Sequence, residues 1–309
     1  MKKTDPKALI DLDQCVLNAL EFFASPRGRL PELKLDEFGR PLVVGSGNAA
    51  AAGKIVFADQ DAVFADESGY RQALQTVKSI DGVVLFSASG GKHAPVIAKY
   101  LGSRGKRLPL WLVTCNKKAK AKKHVDKMIA FPYLPEPYTY NTTTYMGMIL
   151  AKTGENTGAI LRHIKREVDP ALRDLPQSLA NFDAFMLLVP EKFDLVRIML
   201  TTKFVELFGR RIARDVFTWE QAKHATTVIE ADKELFISFG RKNTWWGKHR
   251  LHIPLPAGAD YGAMMAIGYY VIGKIQAQNL PWFKESIGPF CKNASKLFGQ
   301  TLKPFVNFK

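Results

Sequence analysis

Two short turns rich in glycine and serine carry the residues of this chain that could bind a phosphate. Gly45, Ser46 and Gly47 follow an apolar run at 41–44, and a second turn at 87–92 follows an apolar run at 82–86. Glycine lets the backbone approach an anion, hydroxyls and free N–H groups donate hydrogen bonds, and a helix that follows adds partial positive charge. Either turn alone could be merely a tight turn, but the pair favours a phosphate site. The predicted ligands are Gly45, Ser46, Gly47, Ser87, Ser89 and Lys92.

The same turns argue against two common phosphate-containing cofactors. The first turn begins Gly-x-Gly, but Ala50 stands where a dinucleotide site has its third glycine. The second turn lacks the Gly-Lys-Ser/Thr of a nucleotide P-loop. We therefore expect no nicotinamide or nucleotide cofactor.

Short apolar runs alternate with helical patterns along the chain. Strands are predicted at 41–45, 82–86, 109–114, 184–189, 213–217 and 235–239, and a further short apolar run lies at 251–255. Helices are predicted at 7–24, 48–54, 95–101, 200–211 and 261–276, and another begins within 142–150. This alternation predicts an α/β protein with parallel sheets that are covered by helices on both faces.

The length of 309 residues is enough for two domains of ordinary size. The Pro- and Asp-containing stretch 168–176 is the predicted connector between two α/β halves. We place a first domain with the N-terminal helix at 1–160, and a second domain with the C-terminal tail at 161–309.

Composition limits the setting in which the protein works. No stretch of about 18 uncharged apolar residues occurs, so no transmembrane helix is expected. The N-terminus lacks the apolar region of a signal peptide, which predicts a cytoplasmic protein. Cys15, Cys115 and Cys291 are far apart and have no metal-ligand spacing, so reduced thiols and no metal site are expected.

The formal net charge of +15 favours an anionic partner. The densest basic run is 117–127, where alanine and valine lie between the lysines, and we interpret it as the solvated face of a helix. No helix-turn-helix, zinc-finger or RNP pattern is present, so nucleic acid is not the expected partner.

Several motifs resemble those of the sugar isomerase (SIS) family. The segment 84–90 resembles the family's strand followed by Ser-x-Ser-Gly, and 112–116 resembles its strand followed by Thr-x-Asn. The segment 136–148 is similar to the polar helix start that closes the first SIS domain.

The second half carries a looser likeness to the same family. Lys203-Phe204-Val205-Glu206 resembles the Lys-x-x-Glu of the isomerase half of glucosamine-6-phosphate synthase, and 219–224 resembles its Glu-Leu-Lys-His segment. The segment 219–224 is also similar to the Glu-x-Asn-His segment of bifunctional phosphoglucose/phosphomannose isomerases, whose overall length this chain shares. The tail 302–306 resembles the C-terminal lysine segment of both.

This resemblance implies two flavodoxin-like SIS domains, a homodimer with shared active sites, and aldose–ketose isomerisation of hexose 6-phosphates without a cofactor. A glutamate would move the proton between C1 and C2, and a histidine, often from the neighbouring subunit, would assist ring opening. Glu206 is the first candidate for the base, because Lys203 lies one turn before it, and Glu220 is the second. His224 is the histidine candidate, and Lys303 is the lysine that would close over the sugar.

Three departures from the family pattern keep a second interpretation open. Lys92 replaces the threonine that follows Ser-x-Ser-Gly, Asn48 stands where the bifunctional isomerases tend to carry serine, and the interval from Glu206 to His224 is two residues longer than usual. A non-catalytic SIS protein that binds a phosphosugar and regulates a partner is the alternative.

Overall fold

The computed structural model describes residues 9–91, 93–103, 108–225 and 228–308, and contains two parallel β-sheets. The strands are β1 (Pro41–Val44), β2 (Val63–Ala65), β3 (Gly82–Phe86), β4 (Leu110–Thr114), β5 (Lys127–Ala130), β6 (Glu136–Pro137), β7 (Ala184–Val189), β8 (Ala213–Thr218), β9 (Glu234–Phe239), β10 (His249–Ile253) and β11 (Phe305–Val306). The first sheet has the order β2-β1-β3-β4-β5, and the second has the order β10-β9-β7-β8. Strands β6 and β11 form a separate antiparallel pair.

Helices join these strands and cover the sheets. They are α1 (Leu12–Phe23), α2 (Asn48–Val56), α3 (Tyr70–Thr76), α4 (His93–Gly102), α5 (Tyr145–Thr153), α6 (Thr157–His163), α7 (Asp169–Arg173), α8 (Arg197–Phe208), α9 (Trp219–Ala225), α10 (Tyr261–Gln278) and α11 (Trp282–Phe298). No helix in these described ranges is both long enough and apolar enough to cross a bilayer.

The two faces of each sheet pack into different cores, because neighbouring residues of a strand point in opposite directions. Val43 of β1 and Leu187 of β7 belong to one large core that also takes side chains from α1, α2, α5, α8 and α10. Leu42 and Val44 instead face a second core with α3 and α4, and Met186 faces a third core with α9. The predicted α/β class with helix-flanked parallel sheets is therefore confirmed.

The expected connector 168–176 lies in the chain between the two sheets and is helical as far as Arg173, because a π-helical stretch at Ile164–Val168 continues α6 into α7. One local prediction is wrong. The basic run 117–127 is not the face of an α-helix but a turn and a 3-10 helix, Lys120–His124, that lead to edge strand β5. Its buried residues Ala119 and Ala121 are two apart, which is not the spacing of one α-helical face.

Helix α10 is buried along most of its length and meets α1 at a point where there is no room for a side chain. Gly273 lies at this crossing, and a Cβ atom added to it would overlap the backbone of Asp13. Gln276, one turn later, accepts a hydrogen bond from the Leu12 N–H at 2.9 Å. The N-terminal helix is thus fixed against α10 by close backbone packing.

We expect Gly273→Ala to lower the free energy of unfolding by about 1–3 kcal/mol, because α1 and α10 must separate to admit the methyl group. Urea denaturation monitored by circular dichroism measures the change. Gly69→Ala is the control, since its nearest neighbour would be Asp66 Oδ1 at 3.5 Å, an ordinary contact. Equal stability of the two variants would contradict the packing argument.

Candidate functional site

A cavity of about 520 Å³ opens beyond the carboxyl ends of β1 and β3. These two strands are neighbours, but the chain leaves them in opposite directions across the sheet, to β2 on one side and to β4 on the other. Ligands of open α/β sheets bind at such a topological switch point. The cavity is lined by the two glycine- and serine-rich turns, by the segment around β6, by Glu206 of α8 and by the C-terminal tail.

The first turn joins β1 to the N-terminus of α2. Ser46 lines the cavity and is half-buried, and Gly47 has φ 54°, a left-handed conformation that favours glycine. A Cβ atom on Gly45 would lie 2.6 Å from the Ala50 nitrogen, so only glycine lets the turn close on the helix. The Ser46 hydroxyl and the amino-terminal N–H groups of α2 therefore share one end of the cavity.

The second turn follows β3 and orients two hydroxyls. Ser87 Oγ accepts a hydrogen bond from the Gly90 N–H at 3.1 Å, and Ser89 Oγ accepts one from the Gly91 N–H at 3.2 Å. Because both oxygens act as acceptors within the turn, each hydroxyl hydrogen remains available to an anion. Ser87 and Ser89 both line the cavity.

The Thr-x-Asn element after β4 forms hydrogen bonds to the backbone of this second turn. Thr114 Oγ1 donates to the Ala88 carbonyl at 3.0 Å, and Asn116 Nδ2 donates to the Ser89 carbonyl at 2.9 Å. These bonds fix the backbone that carries Ser87 and Ser89. The Thr-x-Asn motif therefore acts here by positioning the turn.

A carboxylate on α8 forms part of the cavity wall. Glu206 is 21% exposed, and its Oε2 accepts a hydrogen bond from Lys203 Nζ at 2.7 Å. Its other oxygen, Oε1, accepts no hydrogen bond from the residues that the structure describes. Glu206 can therefore present one carboxylate oxygen to a ligand while the other is held in place.

Lys203 is a charged group without access to solvent, since its side chain is 0% exposed. A buried ammonium is tolerated only when it has partners. Besides Glu206, Lys203 Nζ donates to the Thr139 carbonyl and lies 5.0 Å from the centre of the Tyr269 ring. Thr139 has φ 78°, a strained backbone conformation for a β-branched residue.

Glu136 also lines the cavity and is only 5% exposed, although its sequence context predicted no role for it. It accepts hydrogen bonds from the Thr142 N–H at 2.9 Å, from the Thr142 hydroxyl and from the Thr143 N–H at 3.3 Å. Burial raises the pKa of Glu136, and these hydrogen bonds together with the charge of Lys203 oppose the rise only in part. The threonine run at 142–144 is the one sequence signal that could have pointed to a buried acceptor here.

The C-terminal tail closes another side of the cavity. Strand β11 pairs with β6, and the Tyr138 N–H donates to the Pro304 carbonyl at 2.8 Å. Lys303, directly before this contact, lines the cavity and is exposed. His93, which no sequence motif singled out, and Lys120 of the basic run 117–127 add two further basic side chains to the lining.

The other predicted residues lie elsewhere. Glu220 and His224 are exposed on α9 and do not line the cavity of their own chain, and Glu220 pairs with Lys223 at 2.6 Å. Lys92 lies outside the described residues. The structure therefore brings together Ser46, Ser87, Ser89, Glu206 and Lys303, whereas α9 places Glu220 and His224 on the outer side of the second sheet.

The fold is that of SIS-domain phosphosugar isomerases and related proteins, as the motifs suggested. The C-terminal domain of glucosamine-fructose-6-phosphate aminotransferase from Francisella tularensis aligns with a TM-score of 0.57 at 12% identity, over 86% of this chain and 92% of that one. Glucosamine-6-phosphate deaminase from Thermotoga maritima aligns with a TM-score of 0.57 at 14% identity, over 87% and 94% of the two chains. Tagatose-6-phosphate ketose/aldose isomerase from Escherichia coli aligns with a TM-score of 0.55 at 13% identity, over 90% and 92%.

No family model and no curated protein matches the sequence. At identities this low, the likeness to the three structures establishes the fold.

The raised pKa of Glu136 predicts a pH-dependent stability. Because the folded carboxyl binds its proton more tightly than the unfolded one, whose ordinary value is 4.5, its contribution is fully present below that value and is lost as the pH rises through the folded pKa. Relative to Glu136→Gln, the wild-type protein should therefore become less stable as the pH rises above 4.5. Urea denaturation of both proteins from about pH 5 to 8 measures the difference.

Asp169→Asn supplies the control for this measurement. Burial alone would raise the pKa of Asp169, but the Tyr270 hydroxyl, Lys274 and Arg173 bring it below its ordinary value of 3.8. The stability difference between wild type and Asp169→Asn should be constant over the same range, since Asp169 stays ionised. The free energy of unfolding of wild type minus that of Glu136→Gln should decrease as the pH rises. A difference that stays constant or increases with pH would contradict the prediction.

Proposed function

We propose that this protein is an aldose–ketose isomerase acting on hexose 6-phosphates of the glucose 6-phosphate/fructose 6-phosphate type. The observation that carries the proposal is that Glu206 lines the same cavity as the two serine turns. The anionic end and a reactive carbon of one small molecule could thus be bound together. In this proposal the chain forms two flavodoxin-like SIS domains, 1–160 and 161–309, in a homodimer.

The phosphate of the sugar would bind to the serine turns. The hydroxyls of Ser46, Ser87 and Ser89 would donate hydrogen bonds, and the backbone around Gly45 and Gly47 would supply N–H groups from the start of α2. Lys92, by its sequence position at the end of the second turn, would add a positive charge. These interactions would be the same before and during the reaction, so they would contribute to binding more than to turnover.

Glu206 would be the base. Its Oε1 would take the C2 proton of the aldose, the electron pair would form the C1–C2 double bond of an enediol, and the carbonyl oxygen O1 would take a proton from solvent. Return of the proton from Glu206 to C1, with loss of the O2 hydroxyl proton to solvent as the C2 carbonyl forms, would give the ketose. Lys203 would hold Oε2 and so orient the carboxylate.

Lys303, His224 and Glu220 would have secondary roles in the reaction. Lys303 would contact the sugar oxygens from the tail. His224 is exposed and outside the cavity of its own chain, so its proposed role in ring opening requires delivery from a second copy. Glu220 stays the second candidate for the base and has the same requirement.

A non-catalytic phosphosugar-binding regulator is the alternative function. It is favoured by the ion pair that occupies one oxygen of Glu206, and by the position of Glu220 and His224 away from the cavity. A regulator needs the serine turns but does not need a mobile proton.

Substitution of the base separates these functions. We expect Glu206→Gln to lower kcat for glucose 6-phosphate isomerisation by about 10²–10⁴-fold, because Gln cannot accept the C2 proton. Binding of the sugar phosphate, measured by calorimetry, should change little. Glu37→Gln, which breaks an exposed ion pair with Lys127 of 2.6 Å, is the control that should leave kcat unchanged.

The double variant Ser87→Ala/Ser89→Ala should instead weaken binding by about 10–100-fold, because it removes two hydrogen bonds to a dianion. Loss of turnover in Glu220→Gln with full activity in Glu206→Gln would make Glu220 the base. Ligand binding by wild type without turnover of any hexose phosphate would establish the regulator, and absence of binding would overturn both functions.

A further inference from the structure

A cluster of exposed lysines lies beside the candidate site. We call it the lysine ledge, and it consists of Lys99 of α4 and Lys117, Lys118, Lys120, Lys122 and Lys123 of the segment after β4. None of these six lysines forms an ion pair with a carboxylate of the described residues. Elsewhere in the described chain unpaired lysines also occur, such as Lys34 and Lys54, but the ledge gathers five of its six within seven residues of sequence.

The ledge is rigidly attached to the first sheet. Ala119 and Ala121 beneath it are buried, and the Ala121 N–H donates to the Gly90 carbonyl at 3.2 Å. Gly90 has φ 56°, and a Cβ atom there would overlap Ala119, so the segment lies directly on the serine turn. The backbone that carries these lysines therefore has a defined position, which lowers the entropic cost of binding a partner.

A groove between α4 and the 3-10 helix gives the ledge its shape. Lys99, Lys120, Lys122 and Lys123 line this groove together with apolar Pro95 and with Val96, which is 63% exposed. Among the described residues that line it there is no phenylalanine, tyrosine or tryptophan. A protein partner normally docks on aromatic or large apolar anchors, and a single nucleic-acid strand stacks its bases on aromatic rings.

We infer that the lysine ledge binds double-stranded nucleic acid through its phosphate backbone, independently of base sequence. Lysine ammonium groups bind phosphates as point charges, and such contacts need none of the recognition motifs that the sequence lacks. Duplex DNA presents a regular row of phosphates that several ledge lysines can contact at once. The inference accounts for part of the net charge of +15 and does not depend on the proposed isomerase activity.

The test uses a fluorescent DNA duplex of mixed sequence, about 24 base pairs long, with the whole protein, and measures Kd by anisotropy over a range of salt concentrations. The ledge variant replaces Lys117, Lys118, Lys122 and Lys123 by Gln, and leaves Lys120 because it also lines the sugar cavity. The slope of log K against log salt is negative, and each lysine–phosphate interaction contributes about 0.9 to its magnitude. The magnitude of the slope should therefore decrease by about 2–4 in the ledge variant. Affinity at about 100 mM salt should fall on the order of 100-fold.

The control variant replaces four exposed lysines that lie off the ledge, Lys34, Lys54, Lys233 and Lys292, by Gln and so removes the same charge. It should bind within about threefold of wild type. If duplex binding weakened equally in both variants, the effect would depend on net charge alone. The inference that the ledge is the binding site would then be wrong. Thermal melting checks that each variant is folded.

Three other outcomes would also overturn the inference. They are the absence of duplex binding by wild type, tighter binding of a poly-glutamate chain than of a duplex, and tighter binding of a single strand than of a duplex. Hexose 6-phosphate should not displace the duplex, since the four substituted lysines lie outside the sugar cavity. Displacement would place the DNA in that cavity instead.

Discussion

The burial of the Lys203 ammonium is the constraint on which the candidate site depends. A charge without access to water must be compensated within the protein, and one of the partners of Lys203 comes from a distant part of the chain. The Thr139 carbonyl approaches from the segment after β6, and Glu206 approaches from the next turn of α8. Satisfying this one ammonium therefore brings the first half of the chain against the second and orients Glu206 in the cavity wall.

The segment between β6 and α5 carries the structural cost of this arrangement. Thr139 and Asn141 both adopt positive φ values, which are unusual for residues other than glycine. The Asn141 side chain donates to the Thr139 carbonyl at 2.6 Å, and Glu136 is fixed by the threonines that follow. Strand β11 then covers the same segment. Strained backbone at the wall of a cavity is typical of functional sites, where surrounding contacts hold it in place.

Negative and positive side chains lie in different regions around the cavity. The carboxylates of Glu136 and Glu206 lie near buried Lys203, whereas the lysine ledge lies outside, uncompensated by described carboxylates and exposed to solvent. Gly90 belongs to both regions, because its N–H donates to Ser87 and its carbonyl accepts from Ala121. One glycine thus connects the serine turn with the basic surface, and its missing side chain allows the two to pack together.

Local sequence patterns predicted the parts of the molecule that neighbouring residues decide. The buried strands 82–86 and 184–189 have the bounds that the sequence predicts, because apolar runs ended by glycine, serine or proline signal a strand within a few residues. The pairing of Lys203 with Glu206 also follows from local geometry, since residues three apart lie on one helix face. The resemblance to the SIS family was confirmed at the level of the fold.

Tertiary structure alone decided what depends on residues far apart in the chain. Buried Lys203 requires the Thr139 carbonyl from the first half, the tail strand requires β6, and Ala119 and Ala121 contact Gly90 of the serine turn. Short-range patterns carry no information on such contacts, because burial and hydrogen-bond partners are set by which elements meet. The sequence by itself therefore determined the central strands β1, β3, β4, β7, β8 and β9 and the serine turns. It did not predict the edge strands β2 and β5 or the pair of β6 and β11, and the packing of the two halves decided which charged side chains face the cavity.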